Sequence, residues 1–172
     1  MKYDKFFQLA KEKGIKECEL FISESYSLSF SLFHGEVDDY QTNNGFSIIA
    51  RGLVNGKFGM ATCDSWSNKK AEFLVIEILA NASVIEDDDP MFIFKGSEKY
   101  HKVNPYNKEL HDISIDKKMS LLHELEDGIK NGDKRISEVA GVAYSEKRTV
   151  FDMTKVMFSE QSRPCGRDLL FQ

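Results

Sequence analysis

The stretch between Phe33 and Thr62 constrains the fold of this chain more than any other part of its sequence. Apolar and polar residues alternate along it between spaced glycines, which is the pattern of half-buried antiparallel strands. Turns are expected at Gly35, at Asn43-Asn44-Gly45 and at Asn55-Gly56. The last turn has the strongest signal, because a two-residue type I′ turn needs positive φ at both central positions. The stretch therefore predicts a folding unit made of hairpins, and it does not by itself predict an active site.

Helical and strand periodicities organise the rest of the chain. Helices are expected near residues 2–13, after Ser67 as N-cap, and from about Asp112 or Ser114 to just before Gly132. Strands are expected over 17–34, 37–41, 46–53, 57–62, 135–144 and 149–158, with an irregular connection over 87–111. Because helices and strands fall in separate runs, the sequence predicts an α+β fold whose antiparallel sheet of several strands has helices packed on it.

Length and charge exclude several classes of protein. The chain has 172 residues, of which 41% are hydrophobic, so one globular unit is expected. Its net charge of −5 is mixed along the sequence, and no basic footprint for nucleic acid is present. No apolar run approaches the roughly 18 to 20 residues that span a bilayer. The sequence therefore predicts neither nucleic-acid binding nor insertion into a membrane.

The cysteines and the acidic run favour ordinary structural roles. Cys18, Cys63 and Cys165 are an odd number without CxxC spacing, which favours reduced thiols in a cytoplasmic protein over disulfides or a zinc site. The run Glu86-Asp87-Asp88-Asp89 is expected to be a solvated loop, with a cation site as the less favoured alternative.

His123-Glu124 is the nearest approach to a metal motif. A zincin helix needs a second histidine one turn later, with the glutamate as general base. Asp127 and Gly128 stand where that histidine would be, so a solvent-facing helical pair is expected instead. His34, His101 and His111 are widely separated, and nothing in their spacing indicates a ligand set.

Glycines and serines next to the hairpins also favour structure over chemistry. Gly52, Gly56 and Gly59 precede a strand and not a helix N-terminus, so turns and close backbone approach explain them better than a phosphate loop. The serines at 23, 25, 27, 29 and 31 alternate along one strand, and they predict a polar sheet face. A free sheet edge could still accept an extended peptide as an added strand, although a blunted or covered edge is the favoured expectation.

Three segments carry a resemblance to a known family. The sequence resembles the N-terminal signature of the TldD/PmbA family in three places. These are Phe33-His34-Gly35-Glu36-Val37, Asn44-Gly45 leading to Ala50-Arg51, and the run from Asn55 to Thr62. Its members are intracellular peptidases and peptidase-like proteins, also described as modulators of DNA gyrase. The resemblance extends to about Asp152 and predicts a domain over 1–154. From Lys155 onward the sequence departs from the family, so 155–172 is interpreted as a divergent tail, produced by a shifted reading frame, a truncated gene or a remnant of cloning.

The resemblance implies a function that this chain does not complete alone. Active family members are zinc metallopeptidases with His-Glu-x-x-x-His and a later cysteine, and paired subunits enclose a chamber for unfolded peptides. None of those ligands transfers to this sequence, so no catalytic, substrate-binding or metal residue is assigned, and no cofactor is expected in the chain itself. The resemblance implies a cytoplasmic, non-catalytic N-terminal part that forms a homo- or heterodimer with a TldD/PmbA-type subunit, of either branch. The alternative is a stand-alone peptide-binding module that uses a sheet edge.

Overall fold

The computed structural model describes residues 3–86, 91–94, 107–157 and 168–171. The elements in chain order are α1 Asp4–Glu12, β1 Glu17–Phe33, β2 Glu36–Val54, β3 Lys57–Cys63, α2 Asn68–Ser83, α3 Lys108–Asp112, α4 Ile115–Gly132, β4 Val142–Met157 and β5 Asp168–Phe171. The strands form a sheet in the order β3-β2-β1-β4-β5. The predicted α+β fold with an antiparallel sheet is confirmed.

The chain divides into two compact units, where the sequence predicted one. The first unit combines Met1–Glu24, Gly45–Val103 and Val150–Phe171, and the second combines Ser25–Asn44 with Asn104–Thr149. The long strands β1 and β2 contribute to both units. Each unit has its own cluster of buried apolar side chains, and full burial lapses on β1 between Ile22 and Leu28. The single core expected from the composition is therefore two smaller cores.

The core of the first unit lies between its strands and the helices α1 and α2. Its fully buried members include Phe6, Ala10, Ile15, Cys18, Leu20, Ile48, Ala50, Leu74 and Ile78. The predicted N-cap is confirmed, because the Ser67 hydroxyl accepts a hydrogen bond of 3.1 Å from the Lys70 amide. The helix α2 thus begins where the sequence predicted, with its apolar face toward the sheet.

Two tight turns connect the first three strands. Asn55 and Gly56 have φ of 51° and 83°, and the strands they join pair in the register Val54↔Lys57. This confirms the predicted type I′ hairpin. His34 and Gly35 have φ of 52° and 81°, so the predicted turn at Gly35 has the same left-handed conformation at both positions.

The turn predicted at Asn43-Asn44-Gly45 is wrong, because β2 runs unbroken from Glu36 to Val54. Its neighbour β1 is also unbroken to Phe33, and pairing with it keeps the segment extended. Asn and Gly favour turns but do not require them. Here they lie in an exposed part of the strand, where no buried face selects against them.

The second unit packs α4 on its parts of β1 and β4. Its buried apolar cluster consists of Leu28, Phe30, Leu32, Leu122, Val139 and Val142. Of the two predicted starting positions, Asp112 and Ser114, the structure has Ser114 as the N-cap, and its hydroxyl accepts a hydrogen bond of 3.3 Å from the Lys117 amide. The apolar spacing correctly predicted the helix, but its buried residues are Lys118, Leu122 and Glu126, while Ile115, Leu125 and Ile129 are exposed.

Two further expectations in this region are corrected. Lys108–Asp112 forms the short helix α3, with Asn107 as its N-cap, inside the connection predicted to be irregular. The strands predicted at 135–144 and 149–158 are corrected to one strand, β4, which begins only at Val142, so residues 135–141 are not part of a strand. The supposed connection lies inside this strand, where Lys118 and Tyr144 bind the Glu146 side chain. No helix among the described residues combines the length and the apolar character needed to cross a membrane.

Candidate functional site

The histidines do not converge on a common point. His34 Nε2 lies 3.0 Å from Glu138 Oε1 at the first tight turn, while His123 and Glu124 are exposed on α4, as predicted. His111 lies on α3, and His101 lies outside the described residues. In the part of the chain that the structure describes, no group of three or more His, Cys, Asp or Glu side chains is arranged to hold a metal ion.

The two described cysteines are free thiols, and both are poorly suited to nucleophilic chemistry. Burial raises the pKa of the Cys18 thiol, and the neighbouring Glu19 raises it further. Burial also raises the pKa of Cys63. Because the thiolate is the reactive form, these shifts keep both groups protonated and unreactive near neutral pH. Cys165 and the acidic residues 87–89 lie outside the described residues.

The glycines act through close approach and turn geometry, as predicted. A Cβ on Gly59 would lie 1.8 Å from the backbone oxygen of Ile78, and one on Gly52 would lie 2.8 Å from the Ile78 Cγ2 atom. Gly56 occupies the left-handed position of the second turn. The alternating serines are half-buried on the face of β1 opposite Leu28, Phe30 and Leu32, which confirms the predicted polar face.

A buried carboxylate holds the arginine that the resemblance singled out. The Glu19 side chain, only 4% exposed, accepts hydrogen bonds from both Nε and Nη2 of Arg51, the former at 2.6 Å. The Arg51 guanidinium also lies 5.7 Å from the centre of the Phe58 ring. The pair joins β1 to β2 within the first unit. The sequence did not reveal it, because Glu19 occupies a position that the strand alternation assigns to the polar face.

Replacing Arg51 by leucine is expected to lower the free energy of unfolding by about 2 to 3 kcal/mol, because the buried Glu19 carboxylate loses the donors that compensate its desolvation. Urea denaturation at pH 7 measures the change. Arg135→Leu is the matched control, since Arg135 binds Asp133 in an exposed pair whose loss should leave the free energy of unfolding nearly unchanged. Equal losses in the two variants would contradict a structural role for the buried pair.

A second buried ionic network lies in the second unit. Both carboxylate oxygens of Glu146 accept hydrogen bonds of 2.9 Å from Lys118 Nζ, and one also accepts a bond of 2.6 Å from the Tyr144 hydroxyl. The Lys118 side chain is only 5% exposed. Spacing could have indicated this position, since Lys118 precedes the buried Leu122 by one helical turn. A lysine at such a position is normally expected to face solvent.

The first half of β2 is exposed along its whole length. All residues from Glu36 to Gly45 are exposed, although they form a continuous strand. The partner strand β3 pairs with β2 only from Ile48 onward. Among the described residues, therefore, no strand pairs with the outer side of the segment Glu36–Asn44 in the second unit. We call this segment the free edge of β2.

The free edge carries negative charge and one aromatic side chain. Glu36, Asp38 and Asp39 contribute three carboxylates, and within the described ranges none of them forms an ion pair with a lysine or arginine. Gln41 donates a hydrogen bond of 3.3 Å to Asp39, which places these two side chains on one face. Tyr40 stacks against Phe30 at a ring distance of 6.2 Å and is 45% exposed.

The outer strand β3 differs from the free edge because α2 partly closes it. Asn81 Nδ2 of α2 donates a hydrogen bond of 2.8 Å to the backbone oxygen of Met60. The Asn81 side chain therefore already occupies one hydrogen-bonding position of this carbonyl. On this side of the sheet, the first half of β2 is therefore the candidate edge for an added strand.

Comparison with solved structures gives the fold class. Over 99% of this chain, the structure matches a proposed modulator of a DNA gyrase from Thermotoga maritima, with a TM-score of 0.79 and 21% identity. TldE from Thermococcus kodakarensis matches with a TM-score of 0.73 and 22% identity over 100% of the chain. A proposed modulator of DNA gyrase from Bacteroides thetaiotaomicron matches with a TM-score of 0.70 and 15% identity over 98%. At these identities the likeness establishes a shared fold.

One part of the chain also matches a family model in sequence. Residues 18–82 match the model of PmbA/TldA metallopeptidase domain 1. The predicted resemblance to TldD/PmbA proteins is confirmed. Among curated proteins, no sequence matches this chain. The chain covers 37%, 36% and 38% of the three solved chains, a little over a third of their length.

Proposed function

We propose that this chain serves as the non-catalytic first-domain portion of a TldD/PmbA-type protein. In this role it assembles with a TldD/PmbA-type subunit as a homo- or heterodimer in the cytoplasm, and it forms part of the wall against which unfolded peptides lie. Hydrolysis then depends on zinc ligands supplied by other polypeptide. The boundary between the domain over 1–154 and the tail over 155–172 stays a prediction.

The observation that carries this proposal is the extent of the match. Nearly the whole of this chain corresponds to a little over a third of each solved relative, and its family match is to the first domain. The sequence also departs from His-Glu-x-x-x-His at its one His-Glu pair, where Asp127 and Gly128 follow. The buried charged side chains Glu19 and Lys118 form ion pairs within the fold, with Arg51 and Glu146 respectively. These pairs support a scaffold role.

A stand-alone peptide-binding module is the second candidate, and the free edge of β2 favours it. A strand whose outer backbone groups are exposed can take up an extended peptide without any other domain. This candidate predicts stoichiometric peptide binding by the purified chain in the absence of a partner, and calorimetry measures it. Binding that requires the partner subunit would instead favour the first proposal.

The first proposal predicts a complex without hydrolysis. The purified chain mixed with a zinc-loaded TldD-type subunit should sediment as a single larger species in analytical ultracentrifugation. The chain alone, supplied with zinc, should not cleave unfolded casein above the rate of a buffer blank. Zinc-dependent cleavage by the chain alone, abolished by a chelator, would contradict the non-catalytic role. Separate sedimentation of the chain with both TldD-type and PmbA-type subunits would contradict the assembly role.

A further inference from the structure

The free edge of β2 has a length, an exposure and a charge that together point to a particular ligand. We propose that Glu36–Asn44 binds an extended peptide rich in lysine or arginine by adding it to the sheet as an extra strand. The inference deepens the peptide-wall part of the proposed function and rests on it. It adds the location of the peptide and its chemical class.

The backbone supplies the main attraction. In a strand, alternate residues direct their N–H and C=O groups toward one neighbour, and the residues between them direct theirs toward the other side. On the outer side of the free edge, the described residues provide no strand to receive these groups. Nine residues at about 3.3 Å each span roughly 30 Å, which exceeds the usual strand of about 5 to 6 residues. A peptide of similar length could pair along all of it.

The side chains select the charge of the peptide. Glu36 and Asp38 alternate with Asp39, so carboxylates lie on both faces of the strand, close to where side chains of an added strand would stand. Within the described ranges no basic side chain of the chain itself neutralises them. A peptide with lysine or arginine at every second position would place cations opposite or diagonal to the two acids that share one face, Glu36 and Asp38. Tyr40, half-exposed beside Phe30, offers an apolar contact between them.

The same charges disfavour a second copy of this chain as the occupant. Pairing two free edges would bring six carboxylates into one pair of strands, without a basic residue from either segment. Like charges on adjacent strands are destabilising. The free edge therefore fits a basic peptide better than it fits itself.

The test uses a fluorescent nine-residue peptide in which lysine alternates with valine or threonine, measured by anisotropy against the full chain at low salt. The expected result is saturable binding that weakens as salt is added, since salt screens the charges. The same peptide with glutamate in place of every lysine should bind at least about ten-fold more weakly, because both partners are then acidic. A peptide N-methylated at alternate residues on its pairing side should lose binding, because those amides can no longer donate hydrogen bonds.

Variants locate the binding site. Asp38→Lys with Asp39→Lys should weaken binding of the lysine peptide by at least about ten-fold, because attraction becomes repulsion. Glu124→Lys with Asp127→Lys, on the exposed side of α4, changes the net charge equally and should leave affinity within about two-fold of the unmodified chain, since these residues lie off the strand. Circular dichroism confirms that each variant is folded.

Three results would overturn the inference. They are undiminished binding of the N-methylated peptide, equal weakening by the two double variants, and concentration-dependent self-association that Asp38→Lys with Asp39→Lys abolishes. Failure of the proposed function is detected separately, because assembly with a TldD/PmbA-type subunit is read by sedimentation and requires no peptide. Loss of peptide binding with intact assembly would reject the edge site alone.

Discussion

Gly59→Ala is expected to destabilise the first compact unit by at least about 3 kcal/mol. This loss is a large fraction of the roughly 5 to 15 kcal/mol by which a folded domain is typically stable. The added Cβ would lie 1.8 Å from the backbone oxygen of Ile78 and 2.6 Å from its carbonyl carbon. A side chain in the way could rotate aside, but a helix backbone cannot move without displacing α2 from the sheet. The loss therefore comes from broken packing along the whole helix. Urea denaturation followed by circular dichroism measures it.

Two other glycines provide matched controls for the same chemical change. Gly128 lies within α4 with no atom near an added Cβ, so Gly128→Ala should stabilise the chain by about 0.5 to 1 kcal/mol through helix propensity. Gly56 has open space but a φ of 83°, so Gly56→Ala should cost about 1 to 2 kcal/mol of backbone strain. A Gly59→Ala variant as stable as Gly56→Ala would show that α2 is not held as closely as described.

Lys118→Met is expected to lower the free energy of unfolding by about 3 to 5 kcal/mol, because it leaves the Glu146 carboxylate buried without its cation. The Glu146 side chain is 12% exposed, so little water can replace the two hydrogen bonds from Lys118 Nζ. Adding Glu146→Leu to Lys118→Met should recover part of the loss, since both charges are then removed. Lys70→Met is the control: its ion pair with Asp64 is exposed and 3.8 Å long, and its loss should cost less than about 0.5 kcal/mol.

The network also predicts a pH window. Burial acts to raise the pKa of Glu146, but the hydrogen bonds from Lys118 and Tyr144 outweigh it and hold that pKa below its ordinary value of 4.5. Its contribution to stability is therefore full above about pH 4.5 and is lost as the pH falls through the lowered pKa. Burial and the bond to Glu146 raise the pKa of Tyr144 from 10.0 to about 12, so its contribution is lost as the pH rises across that interval.

Denaturation of the unmodified chain and of Lys118→Met at a series of pH values tests this window. The stability difference between them should be largest near neutral pH. It should shrink as the solution is acidified below pH 4.5, because Glu146 becomes neutral in both chains. A difference that stays constant down to pH 2 would contradict the role assigned to Glu146.

The parts of the fold that the sequence predicted correctly are those in which local chemistry decides the conformation. Asn55-Gly56 formed the expected turn because few residue pairs tolerate positive φ twice. Ser67 and Ser114 capped their helices because a side-chain oxygen can replace a missing backbone acceptor. Asn43-Asn44-Gly45 has similar residues but stayed extended, because pairing with the neighbouring strand decided its conformation.

The partners of the buried ionic groups, and the free edge, could not be predicted from local pattern. Glu19 and Lys118 are buried because a partner from another element compensates each charge, and no spacing within one segment reveals such a partner. The exposure of Glu36–Asn44 depends on where β3 ends relative to β2, which is a property of the assembled sheet. The alternation of the sequence anticipated strands here but could not show which of them would lack a neighbour.

The close packing of Gly52 and Gly59 against Ile78 offers a way to find remote relatives. Gly52 and Gly59 lie on adjacent strands as register partners, and both face the same isoleucine of the following helix. When overall identity has fallen to about one residue in five, as with the solved relatives, this triplet gives a compact search criterion. Distant homologues should keep two glycines seven positions apart on either side of a tight turn, followed by a β-branched residue about nineteen positions later. Substitution of Gly52 should occur only together with a smaller residue on the helix, whereas Gly59 should be kept, because it faces the helix backbone.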